Sequence, residues 1–167
     1  YKLENIGFIM SNTRELDRYD KDIIKFLSKD GRLTVTELAI KTGLSKTPCQ
    51  VRMKRLVRDG FIIGFRAIIN HNLLDAGHIA FAEVKLRDTT KKALDAFNLA
   101  VQGIHEVEQC HMIAGAFDYL LMVRTKDINA YRHILGERIS ALPHVASSST
   151  YVAMEAVKEV GHSELNF

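Results

Sequence analysis

Hydrophobic residues in the first third of the chain recur with the period of a helix. One apolar stripe predicts a helix over residues 17–29, and its members are Leu16, Ile23, Ile24 and Leu27. A second stripe follows the i, i+4, i+7 spacing and consists of Cys49, Met53 and Leu56. Each stripe predicts a helix that buries one side and leaves the other side polar.

Residues 34–58 predict two short helices joined by a tight turn. Thr34 can cap the first helix, and Glu37, three residues on, can close a capping box. Ala39 is a small residue at the point where two helices would cross. Gly43 can adopt the left-handed conformation that such a turn requires.

The second of these helices is basic on its polar side. Ser45 can cap it, and Pro48 falls in its first turn, where a missing N–H costs little. A Gln side chain can bond an adenine edge, Thr or Val can touch a thymine methyl, and Lys or Arg can reach guanine or phosphate. The residues expected opposite the apolar stripe are Thr47, Gln50, Val51, Lys54, Arg55 and Arg58. A solvated amphipathic helix in some other domain is the alternative, but the caps and the glycine turn favour a DNA-reading helix-turn-helix.

The second half alternates strand and helix patterns in the order strand, helix, strand, strand, helix, strand. This order predicts an α+β chain in which the helix-turn-helix is followed by a ferredoxin-like βαββαβ domain. Asp127 can cap the second helix of this domain, and Gly115-Ala116 marks a hairpin. The predicted segments are strand 79–86, helix 89–102, strands 106–114 and 117–125, helix 127–140 and strand 145–154.

These patterns divide the chain into five parts. Residues 61–69 are rich in β-branched and aromatic side chains and predict a short strand, either a wing or the start of the linker. Turn-forming residues from 70 to 77 indicate the domain boundary. Met10 is expected as a natural start. The expected parts are an N-terminal extension at 1–15, the helix-turn-helix at 16–63, a linker strand and hinge at 64–78, the ferredoxin-like domain at 79–160 and a tail at 161–167.

The charge distribution agrees with a nucleic-acid module joined to a different module. Residues 1–71 carry 14 Lys and Arg against 8 Asp and Glu, a net charge of +6, whereas residues 72–167 carry 9 against 12, or −3.

The two cysteines, Cys49 and Cys110, fall in different domains and are expected to be reduced. The sequence shows no membrane span and no signal peptide, so a cytoplasmic location is expected.

The sequence gives little support to an enzyme or to a metal-binding protein. Cys110 and His111 are adjacent on a predicted strand, so they point to opposite faces and do not readily share one ion, even with His105 nearby. Residues 147–149 are three serines without the flanking glycines of a nucleophile elbow. No glycine-rich phosphate loop is present. We therefore expect no catalytic residue, no metal site, no cofactor and no enzyme activity.

Short motifs in both halves of the chain form a recognisable set. In the first half they are Leu16-Asp17, Asp20, Gly31-Arg32, Glu37-Leu38, Gly43-Leu44-Ser45, Thr47-Pro48-Cys49, Arg52, Arg55-Leu56 and Gly60-Phe61-Ile62. In the second half they are Phe97, Ala100-Val101-Gln102, Gln109-Cys110-His111, Gly115, residues 117–121, Ala130-Tyr131-Arg132, Leu135-Gly136-Glu137, Leu142-Pro143 and Tyr151-Val152. With these motifs the chain resembles the Lrp/AsnC family of prokaryotic transcription regulators from about residue 16 to residue 158, and it is especially similar to the leucine-responsive regulatory protein branch.

The resemblance implies a regulator of amino-acid metabolism genes that binds double-stranded DNA. It also implies dimers, often assembled into octamers, and an amino-acid effector such as leucine that binds where dimers meet. The DNA-binding candidates are Ser45, Lys46, Thr47, Pro48, Gln50, Val51, Lys54, Arg55 and Arg58. The effector-binding candidates are Met112, Gly115, Ala116, Phe117, Asp118, Tyr119, Ile128, Tyr151 and Val152.

Two of these candidates have a direct chemical rationale. Asp118 offers a charge for the ammonium group of an amino acid, and Gly115 lets backbone N–H groups approach its carboxylate. An ordinary hairpin turn would also contain Gly and Asp. Ala116 stands where close relatives often carry an acidic residue, which leaves the preferred amino acid open.

Two further functional hypotheses are compatible with the sequence. One is a general DNA-packaging protein with weak sequence preference. The other is a small-molecule-binding assembly protein whose DNA module is vestigial, against which the cluster of Lys54, Arg55 and Arg58 argues. A large specificity ratio between an operator and random DNA distinguishes a regulator from a packaging protein.

Overall fold

The computed structural model describes residues 15–158, which form two units divided between Ile68 and Ile69. The expected N-terminal extension, apart from residue 15, and the expected tail lie outside the described residues. Among the helices that residues 15–158 form, none combines the length and hydropathy needed to cross a membrane.

The first unit contains the three predicted helices. They are α1 (Arg18–Lys29), α2 (Val35–Thr42) and α3 (Lys46–Arg58). Their apolar stripes meet in one small core, which confirms the helix-turn-helix prediction. The buried side chains of this core are Ile23, Leu27, Leu38, Ala39, Cys49 and Leu56.

Capping residues set where the first two helices begin. Thr34 and Glu37 form the predicted capping box: the Thr34 hydroxyl accepts the Glu37 N–H at 3.2 Å, and the Thr34 N–H donates to the Glu37 carboxylate at 2.8 Å. Asp17 and Asp20 form an equivalent box at α1. The Asp-x-x-Asp spacing was readable in the sequence, but it was not among our predictions.

The turn between α2 and α3 depends on Gly43. Its φ of 71° lies in the left-handed region, as predicted, so any other residue would add backbone strain there. Ser45 precedes α3 in extended conformation, but its hydroxyl makes no capping hydrogen bond. The prediction of a side-chain cap at Ser45 is therefore wrong.

The predicted strand at residues 61–69 is also wrong. This segment is fully described and forms no strand, because no strand within residues 15–158 pairs with it. Its apolar side chains remain open, with Ile63 86% and Ile68 71% exposed. A short 3-10 helix, His71–Leu74, then leads into the second unit.

The second unit has the predicted order of strands and helices. Its elements are β1 (His78–Leu86), α4 (Lys91–Val101), β2 (Val107–Met112), β3 (Tyr119–Thr125), α5 (Ile128–Ile134) and β4 (Val145–Val152). Asp127 caps α5 as predicted, and α5 continues as a π-helical turn, Leu135–Ile139. The strands lie in the order β2-β3-β1-β4, and every neighbouring pair is antiparallel. The ferredoxin-like prediction is confirmed.

One face of this sheet packs on the two helices. Phe97 of α4 stacks on Tyr119 of β3 with ring centroids 4.2 Å apart, and the Tyr119 hydroxyl donates to Asn98 at 2.8 Å. Tyr131 of α5 is buried and shares a 2.7 Å hydrogen bond with Thr150 of β4. These contacts fix both helices on the same face, where alternate residues of β1 and β3 form the core.

Both cysteines face apolar cores. The Cys49 side chain is fully buried, and burial raises the pKa of its thiol. Cys110 packs against the core of the second unit, and burial raises its pKa to about 11. Both are free thiols. Because the thiolate is the reactive form, both should react slowly.

We expect neither cysteine to react readily with an aromatic disulfide reagent at pH 7.5 while the chain is folded. At that pH a thiol of pKa near 11 is ionised in roughly one molecule in 3,000, against about one in ten for an unperturbed cysteine. Colour development should therefore be slow in buffer and release two thiols per chain in denaturant. A fast reaction of one thiol that disappears in Cys110→Ser would contradict the burial of Cys110.

Candidate functional site

The outward face of α3 carries most of the residues predicted to meet DNA. Cys49 and Leu56 anchor the opposite face in the core, and Met53 packs against it. The exposed candidates on α3 and just before it are Ser45, Lys46, Thr47, Pro48, Gln50, Val51, Lys54 and Arg58. Val51 is 62% exposed and lies beside the exposed Gln50. This face therefore offers an apolar group that can touch a thymine methyl and an amide that can form two hydrogen bonds with adenine.

Arg55 differs from its predicted position on the exposed face. Its guanidinium points to α1 and donates to the Asp20 carboxylate, whose side chain is only 2% exposed. Arg52 donates to the same carboxylate at 2.9 Å and to Asp17 at 2.6 Å. The prediction placed Arg55 by helical angle alone, whereas a buried carboxylate attracts the nearest cations. The residue type of Asp20 was visible in the sequence, but its burial depends on the packing of three helices.

Hydrogen bonds and ion pairs along α3 shift the pKa values of two charged groups, Asp17 and Arg58. The Asp20 N–H, followed by the Arg52 side chain, holds the pKa of the Asp17 carboxyl below its ordinary value. Arg58 is paired with Asp59 at 2.8 Å, and this contact raises the pKa of Arg58. The Arg58 side chain is 74% exposed, so its remaining donors still face solvent.

The loop between β2 and β3 is held by Asp118. Its N–H donates to Val84 at 3.0 Å, and its carbonyl accepts the N–H of Ile113 at 2.8 Å. One carboxylate oxygen accepts the N–H of Leu86 at 2.7 Å. Asp118 therefore joins the loop to the end of β1, and this structural role agrees with the hairpin alternative. Its other carboxylate oxygen makes no hydrogen bond to residues 15–158, so it can accept a ligand's donor.

The four residues before Asp118 present a run of open backbone groups. None of the N–H groups of residues 114–117 donates to another group within residues 15–158. Gly115 and Ala116 are exposed, and Phe117 is half-buried. A Cβ added at Gly115 would lie 3.6 Å from Ile113, an ordinary contact, so this chain alone does not require glycine there. Exposed amides beside a carboxylate match the two ends of a free amino acid.

Tyr119 does not belong to the open loop. Its side chain is 1% exposed and stacks in the core, because residues alternate between the two faces from the start of β3. Tyr119 was predicted as an effector-binding residue, but its side chain is buried in this chain and is not available to a ligand at the loop.

The other predicted effector residues do not gather around this loop. Met112 ends β2 opposite Tyr119 and so lies near the loop, 56% exposed. Ile128 follows the far end of β3, and Val152 pairs with Ala80 near the start of β1. A strand rises ~3.4 Å per residue, so the seven residues of β3 separate these two groups by about 20 Å. Tyr151 lies between them, opposite Phe81. A single chain thus does not assemble the predicted pocket.

The described residues form no candidate metal site. No three His, Cys, Asp or Glu side chains between residues 15 and 158 are placed to hold one ion. His111 instead contacts Gln109 at 3.2 Å on the exposed side of β2, away from the core that Cys110 faces.

Comparison with known families matches both units. Residues 16–63 match a winged helix-turn-helix DNA-binding domain. Residues 79–162 match the Lrp/AsnC ligand binding domain. Together these matches cover the described helices of the first unit and, apart from His78, the sheet of the second.

Curated relatives are similar over most of the chain. A proline dehydrogenase transcriptional activator of Rhizobium radiobacter is 60% identical over 89% of this chain and 96% of its own length. A protein of the same name from Rhodobacter capsulatus is 53% identical over 86% of this chain and 94% of its own. The leucine-responsive regulatory protein of Escherichia coli K12 is 45% identical over 87% of this chain and 89% of its own.

Solved structures share the fold. A transcriptional regulator from Neisseria meningitidis, in complex with L-Met, has a TM-score of 0.83 and 29% identity, covering 91% of this chain and 97% of that one. An AsnC family regulator from Agrobacterium tumefaciens has a TM-score of 0.81 and 30% identity, covering 86% and 94%. With both units matched and relatives of up to 60% identity, the chain belongs to the Lrp/AsnC family of transcription regulators and is not an enzyme.

Proposed function

We propose that this regulator activates genes of amino-acid catabolism in the cytoplasm, with proline as its effector. The observation that carries the proposal is the similarity to two relatives named proline dehydrogenase transcriptional activator, at 60% and 53% identity over nearly the whole chain. A regulator of this kind needs a surface that reads DNA and a site that reads the amino acid. The two units offer one candidate for each.

The DNA-reading role belongs to the outward face of α3. Gln50 and Val51 are exposed in the middle of the helix and suit base edges, whereas Lys54 and Arg58 suit phosphates. The first turn of α3, with Ser45, Lys46, Thr47 and Pro48, adds exposed groups at the positive end of the helix.

The effector role belongs to the loop of residues 113–118. The open amides of residues 114–117 suit the ligand carboxylate, and the free oxygen of Asp118 suits its ammonium group. The candidates Ile128 and Val152 lie about 20 Å away at the far end of β3. That separation supports a site completed by a second copy of the chain, with the loop of one copy and the far sheet end of another meeting the ligand. We accordingly propose a dimer that assembles further, as an octamer.

The first test is a thermal shift series with the twenty amino acids. Proline should raise the melting temperature, because a ligand that binds only the folded state adds about 2.7 kcal/mol at a concentration of about 100 Kd. The same ligand should change the affinity for an operator selected by the protein from a random DNA pool. Stabilisation by another amino acid would replace proline as the effector, and no response to any of them would contradict an amino-acid effector.

A packaging role would appear in the same DNA measurements. A packaging protein should bind the selected and the random duplex with similar affinity at every salt concentration. A regulator should keep a large specificity ratio at 150 mM salt. Equal affinities would therefore overturn the regulatory proposal independently of the effector result.

On α3, Gln50→Ala should lower the specificity ratio, whereas Arg58→Ala should not. Losing the amide contact should cost about 1–3 kcal/mol on the selected operator and little on random DNA. Arg58→Ala should weaken both alike and reduce the salt slope by about one unit. Fluorescence anisotropy titrations over a salt series give both quantities. An equal loss on the two duplexes for Gln50→Ala would remove Gln50 from base reading.

In the effector loop, Asp118→Asn should separate the structural role of this residue from its ligand role. The Asn carbonyl oxygen can still accept the Leu86 N–H, so the melting temperature without ligand should change little. Losing the charge-assisted bond to an ammonium group should weaken ligand binding by about 1.5–3 kcal/mol, or roughly one to two decades.

Calorimetric titration with proline measures this loss, and Asp118→Ala is the companion variant. Asp118→Ala removes both contacts, so it should lower the melting temperature as well as the ligand affinity. Unchanged ligand affinity in a folded Asp118→Asn would exclude Asp118 from the effector site and leave only its bond to β1.

A further inference from the structure

A buried carboxylate joins α1 to the DNA-reading helix. Asp20 is 1% exposed, and each of its two oxygens accepts a hydrogen bond from a different arginine of α3. Arg52 also reaches Asp17, the residue that caps α1, and its guanidinium lies 5.5 Å from the Tyr19 ring centroid. These contacts connect the first turn of α1 with the middle of α3.

The charges at this junction depend on one another. A buried carboxylate without a cation is strongly unfavourable, so Asp20 keeps its arginines turned inward. An arginine guanidinium is planar and donates in fixed directions, so it holds its helix in one orientation better than a flexible ammonium group can. Arg52 and Arg55 are three residues apart and therefore lie on the same side of α3.

Few apolar side chains hold α3 in its orientation. Only Cys49 and Leu56 of its thirteen residues are buried, one near each end, and Ser45 provides no side-chain cap. Met53, between these two anchors, is half-buried and flexible, so the three side chains fix the depth of α3 better than its rotation about its own axis. The paired arginines supply the missing restraint between the two anchors.

We propose that Asp20 and Arg55 are positioning residues for DNA reading, and that Arg55 does not itself contact DNA. The inference rests on the DNA-binding role of α3. Asp20 sets the rotation of α3 through Arg52 and Arg55, and this rotation presents Gln50 and Val51 to the bases. Of the five cations on α3, the two arginines that face α1 are engaged inside the unit. Lys46 and Lys54 pair with no carboxylate within residues 15–158 and remain for phosphates.

Two neighbouring residues provide a matched test, because Arg55→Ala and Lys54→Ala each remove one positive charge. Lys54→Ala should weaken operator and random DNA alike and reduce the salt slope by about one unit. Arg55→Ala should leave the slope unchanged and lower the specificity ratio by roughly tenfold, the size of one misplaced base contact. Arg52 still pairs with Asp20 in this variant. A slope lower by one with equal losses on both duplexes, or wild-type behaviour, would overturn the proposal.

Arg55→Lys decides the question even if Arg55→Ala does not fold. Lysine keeps the charge but not the fixed donor geometry, so the specificity ratio should fall while the salt slope stays the same. If Arg55 contacts a phosphate, lysine should preserve both quantities, and that result would overturn the proposal. Wild-type protein that shows no preference for its selected operator would instead contradict the DNA-reading function itself.

Asp20→Asn and Asp22→Asn form a second matched pair on α1. Both remove one negative charge, but Asp22 is partly exposed and pairs only with the exposed Arg18 among the contacts described. Asp20→Asn should release an arginine towards phosphate, which steepens the salt slope on random DNA and lowers the specificity ratio. Asp22→Asn should leave the ratio unchanged. Identical behaviour of the two variants would overturn the assignment of Asp20.

Discussion

The orientation of α3 in the DNA-binding unit depends on the ion pairs around the buried Asp20 as well as on a small apolar core. Six buried side chains hold three short helices together, and only two of them come from α3. Asp20 adds directional contacts to Arg52 and Arg55 that apolar packing does not provide. Because a buried charge requires its partners, these contacts restrict how α3 can sit on α1. Which face of α3 is exposed then follows from the contacts that the opposite face makes with Asp20.

Sequence patterns were sufficient for the architecture. Helical periodicity located α1 and α3, capping and turn residues located α2, and the alternation of strands and helices predicted the ferredoxin-like domain. Two features that depend only on neighbouring residues were predicted correctly. They are the Thr34–Glu37 capping box and the left-handed conformation of Gly43. Each of these features involves residues close in sequence, so a single segment contains all the information that it needs.

Apart from the Ser45 cap, a local signal that did not form its hydrogen bond, the errors arose where a segment depends on distant parts of the molecule. Residues 61–69 have the composition of a strand but no pairing partner among the residues that the structure describes. Arg55 was assigned to the outer face from its helical angle, but a residue 35 positions away determines its direction. The bond from Leu86 to Asp118 joins residues 32 apart and has no sequence signal. Periodicity describes one element at a time, so it cannot reveal such pairings.

The candidate effector residues show a related limit. Resemblance to a family identified a set of residues without stating which of them share one chain's surface. Strand geometry separates Asp118 from Ile128 and Val152 by the length of β3, about 20 Å. Residues that form one binding site between copies of a chain can thus lie far apart within each single copy. The separation itself is informative, because it argues for a site between copies.

The bond from Leu86 to Asp118 also constrains how ligand preference can change during evolution. Asp118 secures the end of β1, so a substitution that removes its hydrogen-bond acceptor, as Asp118→Ala does, disturbs the fold before it can favour a new ligand. The neighbouring Met112, Gly115 and Ala116 are exposed and make no comparable side-chain contact. New amino-acid preferences should therefore arise by drift at these three positions around an unchanged aspartate. The same fold can in this way serve regulators of chemically different nutrients.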